Sequence, residues 1–349
     1  MTPDSNVHLA VSPRRDPNQP RHTPIPEPFE IIPLATSGWF LSAARRLKKI
    51  FRRWDADVLF VTTDHEHLIA AAACWLSRDA AVVRWTPSGQ KLEMGFAGRW
   101  ATRMARTSFL FATETDRRAA NLPKRALDSS IAELGIDVAN YPTDGVKEDA
   151  AAEGDAVSDQ KPAEPLKYVV CVYDPTARGR AATAIRTLSM LSPRHPNLRL
   201  MFVGPGSDDE DLRMQAAALR VLHLVSFLGE RDDQISLMRD AHLGWVVADG
   251  DTGAYGILDL MALAIPTVAS EGGVAQRYIA HGISGALYPP DDSATTAATV
   301  AGILTNEETR EAMGKAARVR VAREFPEEQM LEAFDKAANN ARTRGRRQA

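Results

Sequence analysis

The second half of the chain alternates short apolar runs with helix-length segments of mixed polarity. The runs Tyr168–Val172, Leu198–Val203, Val221–Val225, Leu243–Val247 and Thr267–Ala269 are rich in Val and Leu and bounded by polar or Gly-containing stretches. Continuous apolar runs of this length predict strands buried on both faces, as in a parallel sheet covered by helices. The first half repeats the pattern less sharply at Phe29–Ala35, Asp57–Thr63, Ala81–Trp85 and Thr107–Ala112. Strand-helix alternation in both halves predicts the α/β class, with two Rossmann-like, doubly wound parallel-sheet domains. In such domains ligands bind at the carboxyl ends of the strands.

Between the halves the pattern stops. Pro142–Pro165 holds seven acids and two lysines, with no aromatic residue and no Leu, Ile or Met. It has too little apolar surface to order itself and is expected to be a flexible acidic linker. The predicted organisation is an N-terminal domain over 1–141, a linker over 142–165, a second domain over 166–338 and a basic tail over 339–349. Val7–Val11 is a candidate first strand, followed by a Pro- and Arg-rich stretch, and 1–28 is expected to be partly disordered.

At 349 residues there is chain enough for two cores. Hydrophobic residues make up 44% and charged residues 25%, and the formal net charge is -3, which argues against nucleic acid as the partner. Cys74 and Cys171 lie in apolar runs and read as core rather than as a disulfide, which fits a cytoplasmic protein. The longest apolar run, Leu68–Leu76, falls far short of the ~20 residues of a membrane span, and the polar N-terminus has no signal-peptide core.

Candidate chemistry concentrates in Val247–Gly273, where acids stand beside Gly-rich turns, a helix and a short buried strand. Backbone amides at a helix start attract phosphate, and nearby carboxylates accept hydrogen bonds from ribose or sugar hydroxyls. The ligand class implied is a nucleotide sugar. Gly204 and Gly206 flank a proline after a strand, and Gly272 and Gly273 follow another; each pair reads as an ordinary turn or as a close backbone approach to ligand.

Four markers in this order resemble one known family: Phe202–Gly206; Val225–Gly229 with the helix through Leu237–Ala241; Val247–Gly273; and Arg277–Tyr288. From Lys167 onward the chain resembles the nucleotide-sugar-binding domain of the group 1, or family four, glycosyltransferases, which have the GT-B fold. That resemblance implies two Rossmann-like domains facing a central cleft, and transfer of a sugar from a nucleotide-diphosphate donor to a hydroxyl acceptor. It implies retention and no essential metal or cofactor. The family's Glu-x7-Glu pair is matched by Asp251, implied to face the transferred sugar, and Asp259, implied to face the ribose on a helix beginning near Ile257. The amides of Ala254, Tyr255 and Gly256 are implied to face the diphosphate, with Gly272, Gly273 and Gly204 beside the donor.

The family's Lys and Arg after the first strand of this domain correspond to Arg178 and Tyr173. Arg178 is therefore the implied cation for the leaving diphosphate, with Arg180 or Arg186 as substitutes and surface charge as the alternative reading for all three. No His follows Ala81–Trp85, where the family tends to carry one. His65 and His67 are nearest, but their spacing matches no metal pattern and they are expected on a loop surface.

The helix predicted over 40–54 sets Phe40, Ala44, Leu47, Phe51 and Trp54 on one face and Arg45, Arg46, Lys48, Lys49, Arg52 and Arg53 around the other. It reads either as a core-packed helix with a solvated basic face or as a weak peripheral contact with anionic lipid at the inner face of the membrane, as would suit a lipid-linked acceptor; the acceptor is expected to be a carbohydrate or a lipid-linked molecule. The departures from the family pattern leave a catalytically inactive binding or scaffolding protein as the alternative function, and a nucleotide-sugar epimerase as a third.

Overall fold

A computed structural model of the chain describes residues 9–11, 31–33, 40–54, 56, 58–77, 80–90, 92, 94–122, 128–143 and 165–346. The acidic stretch 144–164 and most residues before Phe29 lie outside these. The chain forms two compact units, one of residues 1–133 with 328–349 and the other of residues 134–327.

In the first unit β1 (Leu9–Val11) pairs in parallel with β2 (Ile31–Pro33). There follow α1 (Phe40–Trp54), β3 (Val58–Val61), α2 (Asp64–Ser77), β4 (Ala81–Thr86), α3 (Phe96–Met104), β5 (Thr107–Phe111), α4 (Glu114–Ala119) and β6 (Asp128–Ile131). The strands β3-β4-β5-β6 lie side by side, all parallel. Ala70–Ala73 of α2 are buried against Ala43, Ala44 and Leu47 of α1 and Val82 of β4, so small side chains let these helices lie close together and to the sheet. The basic residues Arg45, Arg46, Lys49 and Arg53 of α1 are exposed.

The second unit contains β7 (Lys167–Tyr173), α5 (Arg178–Leu191), β8 (Leu198–Val203), α6 (Glu210–Ala218), β9 (Val225–Phe227), α7 (Gln234–Arg239), β10 (Leu243–Val247), α8 (Gly250–Ala262), β11 (Thr267–Ser270), α9 (Ala275–Tyr278), β12 (Gly285–Tyr288), α10 (Ser293–Thr305) and α11 (Glu307–Glu324). Its sheet order is β12-β11-β10-β7-β8-β9, wholly parallel. This is the doubly wound order, and its direction reverses between β7 and β10. One face of that sheet, carrying Cys171, Phe202 and Trp245, packs into a core with Ile185 and Leu188 of α5 and Val300 of α10, and the Trp245 indole Nε1 donates to Tyr288 Oη at 2.7 Å.

Three expectations are corrected. The run Val221–Val225 is not one strand: Arg220 has φ 59, Leu222–Leu224 form a 3-10 turn that buries Leu224, and the strand starts only at Val225. The helix α12 (Glu327–Arg346) is continuous through most of the expected basic tail. From residue 328 it belongs to the first unit, because Ala333, Phe334, Ala337 and Ala341 pack on Ala81, Val83, Leu110 and Ala132. Phe334 meets Trp85 and Phe60 with ring centroids 5.0 and 5.5 Å apart. The segment after Leu134 likewise goes with the second unit, since Ile136 bridges Pro326 and bonds to Phe325 and Glu327.

Candidate functional site

Where the strand order reverses, the loops after β7 and β10 lead to opposite faces of the sheet and leave a crevice at its carboxyl edge. A shallow concavity, open to solvent, lies at the end of β10 and β11, under the start of α8. Arg180, Asp249, Ser270 and Gly272 line it together with Val246 and Ile257. Arg180 reaches it from the first turn of α5 and pairs with the Asp249 carboxylate; the two side chains are 25% and 49% exposed. Gly272 and Gly273 turn the chain after β11 with φ +106 and +54, a left-handed backbone that favours glycine. Open space surrounds the Gly272 Cα, and the Gly273 Cα faces Asp249 Oδ1.

The α8 helix begins at Gly250, seven residues ahead of the Ile257 start expected from the sequence. Its first intrahelical bond runs from the Gly253 amide to Asp249 O at 3.0 Å, so the amides at the open end are those of Gly250, Asp251 and Thr252. Those of Ala254, Tyr255 and Gly256 lie one turn inside the helix instead of facing outward. Ala254 is fully buried, Tyr255 is half-exposed, and the Gly256 Cα is packed so tightly on β7 that a Cβ there would come 2.8 Å from Val172 Cγ1. Gly256 thus serves helix-sheet contact. Gly204, with φ +123, is similarly wedged against the Tyr173 carbonyl, which a Cβ would meet at 2.3 Å.

Asp251 is the second residue of α8 and partly buried, and Asp259 lies on the same helix ~12 Å further along its axis. Asp259 Oδ1 accepts a hydrogen bond from Tyr141 Oη at 2.7 Å, and its other oxygen accepts none among the described residues. Burial raises the Asp259 pKa to about 6, against a partial opposing effect of the Tyr141 bond. Burial and the Asp259 charge in turn push the Tyr141 phenol upward. Arg318 holds this strap in place by donating to the carbonyls of Tyr141 and Val138, and also to that of Ala262 at the end of α8.

Arg178 is committed elsewhere. Its guanidinium pairs with Asp209 and Asp211 at the start of α6, the latter at 3.0 Å, so its charge is neutralised locally and it does not line the concavity. Tyr173, at the position of the family's second cation, is buried against Phe202. Arg186 donates to Thr183 and Ser293. Arg180 is therefore the cation that the fold delivers to the crevice. Read from the sequence alone Arg180 ranks only as a substitute for Arg178, because the adjacency of β7 and β10 becomes visible only in the folded sheet.

The histidines are not on a loop. Thr63 and Glu66 form a reciprocal capping box that starts α2 at Asp64, with Glu66 N to Thr63 Oγ1 at 3.2 Å and Thr63 N to Glu66 Oε2 at 3.0 Å. His67 is fully buried, bonds Thr107 Oγ1 at 2.9 Å, and has its pKa lowered to about 4 by burial and by Arg84. It is a neutral core residue. Among the described residues no group of three His, Cys, Asp or Glu side chains is placed to hold a metal ion.

Residues 158–320 match the family described as Glycosyl transferases group 1. The chain carries a group 1 glycosyltransferase domain. A phosphatidyl-myo-inositol mannosyltransferase of Mycolicibacterium smegmatis is 28% identical over 276 residues, which cover 76% of this chain and 67% of that protein. Among solved structures, a glycosyltransferase from Rickettsia africae superposes with a TM-score of 0.70 at 12% identity, covering 90% of this chain and 85% of that one. An Anabaena protein, HepE, solved with UDP and glucose, gives 0.68 at 16% identity, covering 89% and 86%. These likenesses establish the two-domain α/β GT-B fold. The chain is a glycosyltransferase enzyme, and the scaffolding alternative gains no support from relatives named as transferases. No helix among the described residues is long and apolar enough to cross a membrane.

Proposed function

We propose that this glycosyltransferase takes a sugar from a nucleotide-diphosphate donor bound in the crevice of the second unit and passes it to a hydroxyl acceptor, with retention and without an essential metal. The observation that carries this reading is the Arg180-lined concavity at the strand-order reversal, with the open end of α8 above it. A diphosphate there would gain charge stabilisation from Arg180 and from the amides of Gly250, Asp251 and Thr252 as the bond to the sugar breaks. Asp251, beside those amides, would accept hydrogen bonds from the transferred sugar, and the second oxygen of Asp259 would accept one from the ribose. Gly272 and Gly273 would let backbone approach the donor. The relative named for mannosyl transfer to phosphatidyl-myo-inositol, and the neighbour solved with UDP and glucose, support a nucleotide sugar and a lipid-linked acceptor.

A lipid acceptor would be reached at a membrane surface. The exposed basic face of α1, with Phe96 at 87% and Trp75 at 63% exposure nearby on α3 and α2, supports weak peripheral contact with anionic lipid. The opposite face of α1 is held in the core through Ala43, Ala44 and Leu47, as in any amphipathic surface helix.

Donor hydrolysis tests the proposal without knowledge of the acceptor. The wild-type chain is expected to split one of UDP-glucose, GDP-mannose or ADP-glucose slowly with water, to release the sugar first as the donor's anomer, and to keep its rate in excess EDTA. Release of the opposite anomer would remove retention, loss of rate in EDTA would remove metal independence, and an intact donor pool would count against catalysis.

A further inference from the structure

Asp249 is placed to cap α8 and does not. It sits at the N-cap with extended backbone, φ -113 and ψ 178, yet its carboxylate accepts no capping hydrogen bond. Three other aspartates at helix starts in the same unit do cap, Asp292 accepting from Ala294 and Thr295, Asp209 from Asp211, and Asp174 from Thr176, whereas Asp233 at the start of α7 gives up its cap to pair with its near neighbour Arg231. A capping bond stabilises a helix start, and Asp249 forgoes it to pair with Arg180 across the concavity. Both side chains are partly exposed, so the pair is weak enough to open, and it occupies the cation that an incoming anion needs.

We propose that Asp249 is an internal counter-anion that competes with the donor diphosphate for Arg180. This rests on the donor-site reading above and adds a specificity-determining residue to it. In the empty site the carboxylate holds the guanidinium across the concavity. A ligand must exchange with it, which selects for the high charge of a diphosphate, and when a nucleoside diphosphate is left after transfer the same carboxylate helps return Arg180 and expel the product. Swung away from Arg180, Asp249 is already at the N-cap and can take up the capping bonds that it leaves unmade.

The test is calorimetric titration of the full chain with inorganic pyrophosphate and with UDP, comparing wild type, Asp249→Asn, Asp249→Ser, Arg180→Gln and the double variant Asp249→Asn/Arg180→Gln. Asn and Ser both serve as caps, so neither removes a helix-start residue type. Both single variants at 249 are expected to bind both probes about tenfold more tightly than wild type, roughly the 1.4 kcal/mol of one weak ion pair with its field. In the Arg180→Gln background the gain is expected to vanish. A gain that persists without Arg180 would show only a general charge effect and overturn the competition. Unchanged or weaker binding in Asp249→Asn and Asp249→Ser, with wild type still binding and Arg180→Gln impaired, would overturn it while leaving the donor site intact. If neither probe bound any chain, the donor-site reading would fail and this proposal with it.

Discussion

Replacing Asp259 by Asn is expected to stabilise the protein at pH 8 while weakening its hold on the donor nucleotide. The folded carboxyl keeps its proton up to about pH 6, whereas the unfolded one releases it near 3.8. Between those values the folded state is the better proton binder, so stability falls as pH rises through that window and stays lower above it. The shift corresponds to about 3 kcal/mol at most, of which a neutral Asn, still able to accept from Tyr141, should recover about 2, or on the order of 4 °C in melting temperature. Ribose hydroxyls would lose a charged acceptor, which at about 1.5–3 kcal/mol predicts a nucleotide affinity ten- to a hundredfold lower. Thermal melts of both chains at pH 5 and pH 8, with nucleotide titrations at pH 8, check this. The stability gap should close toward pH 5, where the wild-type carboxyl is largely protonated. A solvated helix residue would change neither quantity; a lower melting temperature at pH 8 would mean that Asp259 is a structural partner of Tyr141. The combination of a gain in stability with a loss of binding marks a group kept charged in a partly buried place for a ligand.

The second large effect is the contrast between two arginines two residues apart. Arg180→Gln is expected to lower turnover about 10²–10³-fold, as loss of a charge aimed at a developing anion does. Arg178→Gln should leave turnover within about threefold, because its charge is already met by Asp209 and Asp211 and the change mainly frees those carboxylates. Steady-state rates of donor hydrolysis for the two variants decide it. Reversal of the order would return the diphosphate to Arg178 and require it to leave Asp209 and Asp211.

Much of the second unit is legible in the sequence, because a strand buried on both faces must be a continuous apolar run. Leu198–Val203 and Leu243–Val247 coincide with β8 and β10 for that reason. The pair Asp251 and Asp259 is readable too, as eight residues of one helix. Contacts set by tertiary adjacency are not readable. The meeting of Arg180 with Asp249 depends on β10 lying beside β7, although their strands are separated by two intervening ones in sequence. Tyr141 on Asp259 joins residues 118 apart. The start of α8 was hidden because Gly250 and Gly253 weaken any helix pattern; Gly253 is there because a Cβ would strike the Ala248 carbonyl at 2.5 Å. The return of α12 to the first unit escapes a boundary drawn by composition, since Phe334, Ala337 and Ala341 form an apolar face that fits either unit until the sheet it covers is known.

Whether the second unit binds a nucleotide decides the assignment of a donor site. Calorimetric titration of the purified chain with UDP, GDP and ADP and their sugar conjugates is the direct measurement. Saturable binding of one nucleotide, weakened at least tenfold by Arg180→Gln and little changed by Arg178→Gln, is the predicted result. Absence of binding by all three, from a chain that melts cooperatively, would contradict the assignment of a donor site.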